Sequence, residues 1–301
     1  MDKKIKTTVI GSYPVKINNF ELIKNYYNYS NPNFRSYIRS AVDDMVRSGI
    51  DIISDGQIRD PFVNIFYRKI NGIRIRNRAE IIDKISYNGN ITVEDLKYVK
   101  NIIPKKNKII GLLAGPYTLT KSCVNNYYND EKELSYDFAE ILSKEAKELE
   151  KFVDMISVDE PFFSLSIPDY SIDLINNVIK NIRCKTRLHV CGDVSNIIND
   201  LLEMPIDILS HEFKARPNLL KDFSNYDFNK ELCLGSVRSD KKDIEKVEDI
   251  KNHIKKAKDL FGEKIIQVSP DCGLRQLNRE CAYKKLKNLV IACREINDKK
   301  C

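Results

Sequence analysis

Tryptophan is missing from this 301-residue chain, and histidine (3), methionine (4) and glycine (11) are scarce. Without Trp there is no indole platform on which a flat heterocycle can stack. No run of about 18 apolar residues occurs, which argues against a membrane-spanning helix. The N-terminal Met1-Asp2-Lys3-Lys4-Ile5-Lys6 passes directly into a strand-like Thr7 to Ile10 with no apolar signal region. Export is therefore not expected, and the cytoplasm is the expected location. Charge of one sign is not concentrated: 50 basic and 43 acidic residues give a formal +7, dispersed in Lys-rich helical stretches such as Lys251 to Lys258. That is the pattern of a solvated helix face, and without a basic-aromatic motif it argues against nucleic-acid binding. Domain-linker composition, internal repeats and low-complexity tracts are absent too. So are the Cys-x2-4-Cys knuckles of a structural zinc module. Eight cysteines in an intracellular protein read as thiols, and Cys123, Cys184, Cys233, Cys281, Cys293 and Cys301 show no ligand-like spacing.

What is present is an alternation of short apolar runs with amphipathic stretches. Candidate strands are Thr7 to Gly11, Asp51 to Ser54, Lys108 to Leu113, Met155 to Val158, Thr186 to Val190, Asp207 to Ser210, Leu232 to Gly235 and Lys264 to Val268. Helical patterns fall between them at Ser36 to Ser48, Glu131 to Phe152, Asp173 to Asn181, Val194 to Glu203, Val247 to Phe261 and Cys281 to Ile296. Eight βα units predict a closed (β/α)8 TIM barrel, one domain over residues 1–301. The stretch at about 60–106 exceeds one crossover helix. Its alternating Ile73-Arg74-Ile75-Arg76 predicts an inserted hairpin.

Three of these runs end in possible metal ligands. His189-Val190-Cys191, then Glu212, then Asp271-Cys272-Gly273 supply one imidazole, one carboxylate and two thiols as candidate zinc ligands. On a strand, residues i and i+2 share a face, so His189 and Cys191 suit joint ligation. From 3 His and 8 Cys, about 0.08 such pairs are expected by chance. Taken singly, a buried His or Cys is more often a packing residue, and the strand-end context is what sets these apart. The 80 residues between Cys191 and Cys272 contain whole strand-helix units, so a shared metal must sit where several strands converge.

Catalytic groups of such barrels lie at the C-terminal strand ends. Gly11-Ser12-Tyr13-Pro14, Asp55-Gly56-Gln57, Gly115-Pro116-Tyr117-Thr118 and Asp159-Glu160-Pro161 follow the first four strands, across the mouth from the metal candidates. Each is also an ordinary turn or cap sequence, and only the shared rim points to function. Zinc would suit a thiol reaction. A thiol of pKa about 8.5 is mostly protonated at neutral pH, and coordination deprotonates it. Two thiolates, a carboxylate and a neutral imidazole leave the site net negative, so a bound substrate thiolate stays electron-rich.

Together, Ile10-Gly11-Ser12-Tyr13-Pro14, Val158-Asp159-Glu160-Pro161, His189-Val190-Cys191, Glu212 and Ser269-Pro270-Asp271-Cys272-Gly273-Leu274 resemble the C-terminal catalytic barrel of cobalamin-independent methionine synthases. The resemblance implies one Zn2+ per chain on His189, Cys191, Glu212 and Cys272, and methyl transfer to L-homocysteine. Ser12 and Asp159 would hold the amino-acid end. Four departures accompany it. The N-terminal barrel of the full-length enzymes is missing. Gln57 stands where the family usually has a homocysteine-binding Glu. Asp240 stands at the gapless position of the proton-donating His, and Leu165 takes the place of a folate-contacting Glu, with no Trp to stack on a pterin. Short single-barrel relatives are associated with archaea and with methylated corrinoids. The expected donor is therefore methylcobalamin or a methylated corrinoid protein, with a methyl-tetrahydropterin as the other option. Two further readings stand beside this: a zinc methyltransferase for another thiol such as coenzyme M, and a non-catalytic zinc-stabilised barrel.

Overall fold

A computed structural model describes residues 4–21, 23, 34–60 and 62–298. The barrel starts with β1 (Lys6–Thr7) and β2 (Ile52–Ile53), and the chain then steps outside it into a hairpin, β3 (Ile70–Ile75) and β4 (Ala79–Tyr87). It returns with β5 (Lys108–Ala114). The short β6 (Val124–Asn125) joins the hairpin. β7 (Met155–Asp159), β8 (Lys185–His189), β9 (Ile208–His211), β10 (Glu231–Val237) and β11 (Ile265–Pro270) complete the barrel. Its order is β1-β11-β10-β9-β8-β7-β5-β2, every pair parallel. A parallel bridge between Thr8 and Ile52 joins the two ends of that order into a ring. The eight expected strands are the eight barrel strands, and the hairpin falls in the 60–106 stretch.

Burial on both faces is why these strands are short continuous apolar runs. Their outward residues pack beneath the helices, as Ile38, Ala41, Val42 and Met45 of the helix Arg35–Ser48 show. Their inward residues fill the barrel: Ile52, Ile110, Leu112, Met155, Ile208 and Cys233 form a separate inner cluster. Register then sets the mouth. Asp159 on β7 lies beside His189 on β8, which lies beside Ser210 on β9. Two residues deeper, and so on the same face, are Ser157 and the fully buried Arg187.

Some helices differ from expectation. The stretch Glu131–Leu149 stops before Phe152, and Val194 to Glu203 divides into a 3-10 turn, Ser195–Ile197, and a helix, Ile198–Glu203. Val93–Ile102, Pro116–Ser122 and Asn218–Ser224 are helices that no periodic pattern announced. Pro116–Ser122 matters for the mouth. Glu160 Oε1 accepts from Tyr117 N at 2.9 Å, and its Oε2 accepts from Thr118 N at 2.8 Å and Thr118 Oγ1 at 2.6 Å. The two backbone N–H groups are otherwise unpaired donors of the helix's first turn. A Cβ on Gly115 would lie 2.1 Å from Glu160 Cδ, so only glycine fits there. Among the described residues, no helix is long and apolar enough to cross a membrane.

Candidate metal centre and substrate cavity

β8 ends at His189, and Cys191 follows two residues later. Cys272 follows β11 by two. Their donor atoms, one from each residue, all lie within 4.8 Å of one another. Cys191 Sγ is 3.0 Å from His189 Nε2 and 2.8 Å from Cys272 Sγ, the latter well beyond the roughly 2.05 Å of a disulfide. His189 Nδ1 is 3.1 Å from Ser210 Oγ. The tautomer that donates Nδ1–H to Ser210 leaves the Nε2 lone pair facing the thiols, the usual arrangement behind a metal-bound imidazole.

The donor set fits a soft divalent cation. Burial, with help from Arg187, holds the His189 pKa well below the usual imidazole range, so the ring is neutral and its lone pair available. The Cys191 thiol is pushed well up, first by its hydrogen bond with Cys272 and then by burial. Two close thiols resist ionisation unless a cation is shared between them. A tetrahedral zinc with bonds of about 2.0–2.3 Å spaces its ligands about 3.3–3.8 Å apart, so holding it would part the Cys191 contacts of 3.0 and 2.8 Å by roughly 0.5–1 Å.

Glu212 is not one of the three. Its half-buried carboxylate lies 3.6 Å from Arg216 Nε, although its charge still acts on Cys191 and Asp271. Asp271, beside Cys272, is 1% exposed; its Oδ1 accepts from Lys214 N at 3.0 Å and its Oδ2 has no partner. Burial pushes this carboxyl up to about 8.

The trio forms one wall of a cavity of about 350 Å³, whose lining also includes Ser12, Gln57, Phe62, Asp159 and Arg275. Ser12 is tied to the Cys272 loop, because its carbonyl accepts from Leu274 N at 2.7 Å. Asp159 is buried, and Ser157 Oγ donates to its Oδ1 at 2.7 Å. Arg187 Nε in turn donates to Ser157 Oγ at 3.1 Å. Burial raises the Asp159 pKa to about 6, with Arg187 and the Ser157 hydrogen bond opposing the shift. Ser12, Gln57, Asp159, His189, Cys191 and Cys272 therefore meet in one cavity, as their strand ends predict.

Asp240 does not. It is exposed, accepts from Arg238 Nε at 2.8 Å, and is held below the usual carboxylate range by that hydrogen bond. In this arrangement the carboxylate is off the cavity wall and has no proton to give. Arg187 and Ser210 were missed by sequence reading. The signal for Arg187 was a guanidinium two residues before His189, on the same face of a short strand that the barrel buries.

A family model described as the catalytic domain of cobalamin-independent synthase matches residues 5–295. The chain belongs to this family. It is 34% identical over 304 residues to the methionine synthase of Methanothermobacter thermautotrophicus, covering 95% of this chain and 98% of that one. Identity is also 34% over 310 residues to that of Methanocaldococcus jannaschii, with 96% and 99% covered. The matches thus run over nearly the whole length of both relatives. Among solved structures, the B12-independent methionine synthase of Shewanella sp. W3-18-1, in complex with selenomethionine, superposes with a TM-score of 0.83 at 24% identity, covering 99% of both chains. A putative vitamin-B12 independent methionine synthase from Listeria monocytogenes gives 0.76 at 16% identity, covering 98% of this chain and 99% of that one. Both share the barrel fold.

Proposed function

We propose that this chain is a zinc-dependent S-methyltransferase that converts L-homocysteine to L-methionine, working in the cytoplasm as one catalytic barrel over residues 1–301. The observation that carries the reading is the convergence of His189, Cys191 and Cys272 on a cavity that also presents the buried Asp159. Glu212, turned from Arg216, completes the ligand set. Bound zinc would keep the homocysteine sulfur as thiolate at neutral pH. The protein's own groups do the rest. Asp159 pairs with the ammonium group, and the Ser157–Arg187 relay fixes its orientation. Ser12 would contact the carboxylate, and Phe62 and Pro161 give the cavity apolar lining. Ser210 holds the His189 ring. The sulfur then attacks the donor methyl carbon, a C–S bond forms, and the bond from methyl to donor breaks with its electron pair staying on the donor.

The donor we favour is a methylated corrinoid, either methylcobalamin or a corrinoid protein docking over the barrel mouth. A pterin leaving group needs a proton, and Asp240 is ionised and off the cavity wall. Cobalt leaves with the electron pair and needs none. Leu165, 78% exposed on the loop after β7, and the absence of Trp also remove contacts a pterin would use. The zinc-loaded protein should form methionine from homocysteine faster with methylcobalamin, or a methylated corrinoid protein, than with methyltetrahydrofolate at equal concentration. Faster turnover with methyltetrahydrofolate reverses the donor assignment, and no methionine from any donor removes the proposed activity.

A further inference from the structure

The loops after β1, β2 and β11 build more than the thiol cavity. Ser12, Gln57 and Gly273 line that cavity, but the residues next along the same three loops, 13–17, 58–60 and 277–279, line a second one of about 550 Å³. Arg275 lines both, so the two cavities meet at its side chain. The volume falls within the roughly 300–1,000 Å³ of small-molecule sites.

The walls of the second cavity combine apolar surface with unbalanced charge. Val15, Ile17, Ile58 and Leu277 supply the apolar part. Four cations, Lys16, Arg59, Arg275 and Arg279, stand against one lining carboxylate, Asp60. Two of the four are answered from behind. Arg59 Nε lies 2.5 Å from Asp95 Oδ2, and Arg279 Nε lies 2.6 Å from Asp44 Oδ2. Asp60 itself is taken by Arg68. Lys16 and Arg275 pair with no carboxylate among the described residues. Arg275 Nη1 donates to Asp60 O at 2.8 Å and Nη2 donates to Gln57 O, which fixes the plane of the guanidinium. A guanidinium has five N–H groups, so three are left over. Burial is the largest influence on this group and lowers its pKa, with Asp60 and Asp55 opposing from a distance.

We propose that the second cavity binds the anionic tail of the methyl donor, a phosphate or carboxylate group carried on an apolar body, with Lys16 and Arg275 as its counter-charges. This rests on the donor meeting the substrate sulfur at the thiol cavity. A donor whose methyl carbon reaches that sulfur must extend beyond a cavity of about 350 Å³, and the shared Arg275 places the second cavity next along its path. Two cations without carboxylate partners match one phosphodiester or a short run of carboxylates. Both donor classes carry such a tail. The nucleotide loop of a complete corrinoid has a benzimidazole base and one phosphodiester, and the tail of a folate has an aminobenzoyl ring and glutamyl carboxylates.

Binding without turnover tests the site and separates the two sources. Equilibrium dialysis of the zinc-loaded protein, without homocysteine, compares cyanocobalamin with dicyanocobinamide, which lacks the nucleotide loop. It then compares methyltetrahydrofolate bearing three glutamyl residues with the form bearing one. In the wild-type protein the longer-tailed member of at least one pair should bind about tenfold tighter or more, the scale of a hydrogen bond between charged groups. Lys16→Glu should cut that ratio to about threefold or less and leave the shorter member within about twofold. A ratio that moves in the corrinoid pair assigns the phosphodiester; one that moves in the folate pair assigns the carboxylates. No difference within either pair, absence of binding included, overturns the proposal, as does a ratio that Lys16→Glu leaves unchanged. Lys16 does not line the thiol cavity, so homocysteine affinity should be unaltered in the variant; its loss would place the effect in the thiol site and sink the proposal as well. Methionine formation with no tail discrimination removes the second site and leaves the methyltransferase reading, whereas discrimination without methionine from any donor does the reverse.

Discussion

Replacing Asp159 by Asn tests the amino-acid end of the cavity. The carboxylate is 3% exposed, its Oδ1 is taken by Ser157 Oγ at 2.7 Å, and Oδ2 has no hydrogen bond to the described residues. The amide keeps nearly the same volume and can keep the Ser157 bond, so the change is confined to the charge. Two unit charges about 4 Å apart attract by roughly 4 kcal/mol at an effective dielectric of 20. Desolvation of both groups offsets part of this, and the loss expected is about 1.5–3 kcal/mol. That corresponds to roughly 10- to 150-fold in homocysteine affinity. Calorimetry of the zinc-loaded variant reads it directly. 4-Sulfanylbutanoate, which has no ammonium group, should bind Asp159→Asn no more weakly than wild type. Wild-type homocysteine affinity in the variant would refute the reasoning and reduce Asp159 to a wall residue whose charge serves Arg187.

Two other outcomes follow from the same geometry. The purified protein should carry about one zinc per chain, and Cys272→Ser should lose most of it while keeping its circular dichroism, because the barrel core does not involve the metal; elemental analysis showing full occupancy would end the ligand assignment. Glu160→Gln should destabilise the fold by about 1–3 kcal/mol in urea unfolding, since one of two carboxylate oxygens now serving Tyr117 N, Thr118 N and Thr118 Oγ1 becomes a donor. Unchanged stability in that variant would mean that the helix Pro116–Ser122 does not depend on its cap.

How far the sequence could be read follows from the range of the forces involved. Barrel strands are short runs buried on both faces, so Met155–Asp159 and Ile265–Pro270 stand out by composition alone. His189 and Cys191 share a face through the two-residue strand period, a local rule. Glu160 was harder: its partners Tyr117 and Thr118 lie more than 40 residues away, and nothing within Asp159-Glu160-Pro161 says which acid faces the cavity. The helix Pro116–Ser122 was missed for the same reason, because its start depends on that distant carboxylate. Arg187 was passed over since an arginine in a strand ordinarily faces solvent. Here Ser157 Oγ, Val9 O and Cys233 Sγ take its donors inside the barrel. Asp240 shows the limit of counting without gaps. Arg238 takes the carboxylate, and Asp240 is not among the residues that line the cavity.

Zinc-edge X-ray absorption, recorded with and without homocysteine, tests the account most directly. The resting protein should show two sulfur neighbours at about 2.3 Å, from Cys191 and Cys272, with the remaining neighbours nitrogen or oxygen. Saturating homocysteine should raise the sulfur count to three. A sulfur count that stays at two, with calorimetry showing the site filled, would contradict a reaction in which the metal prepares the substrate thiolate.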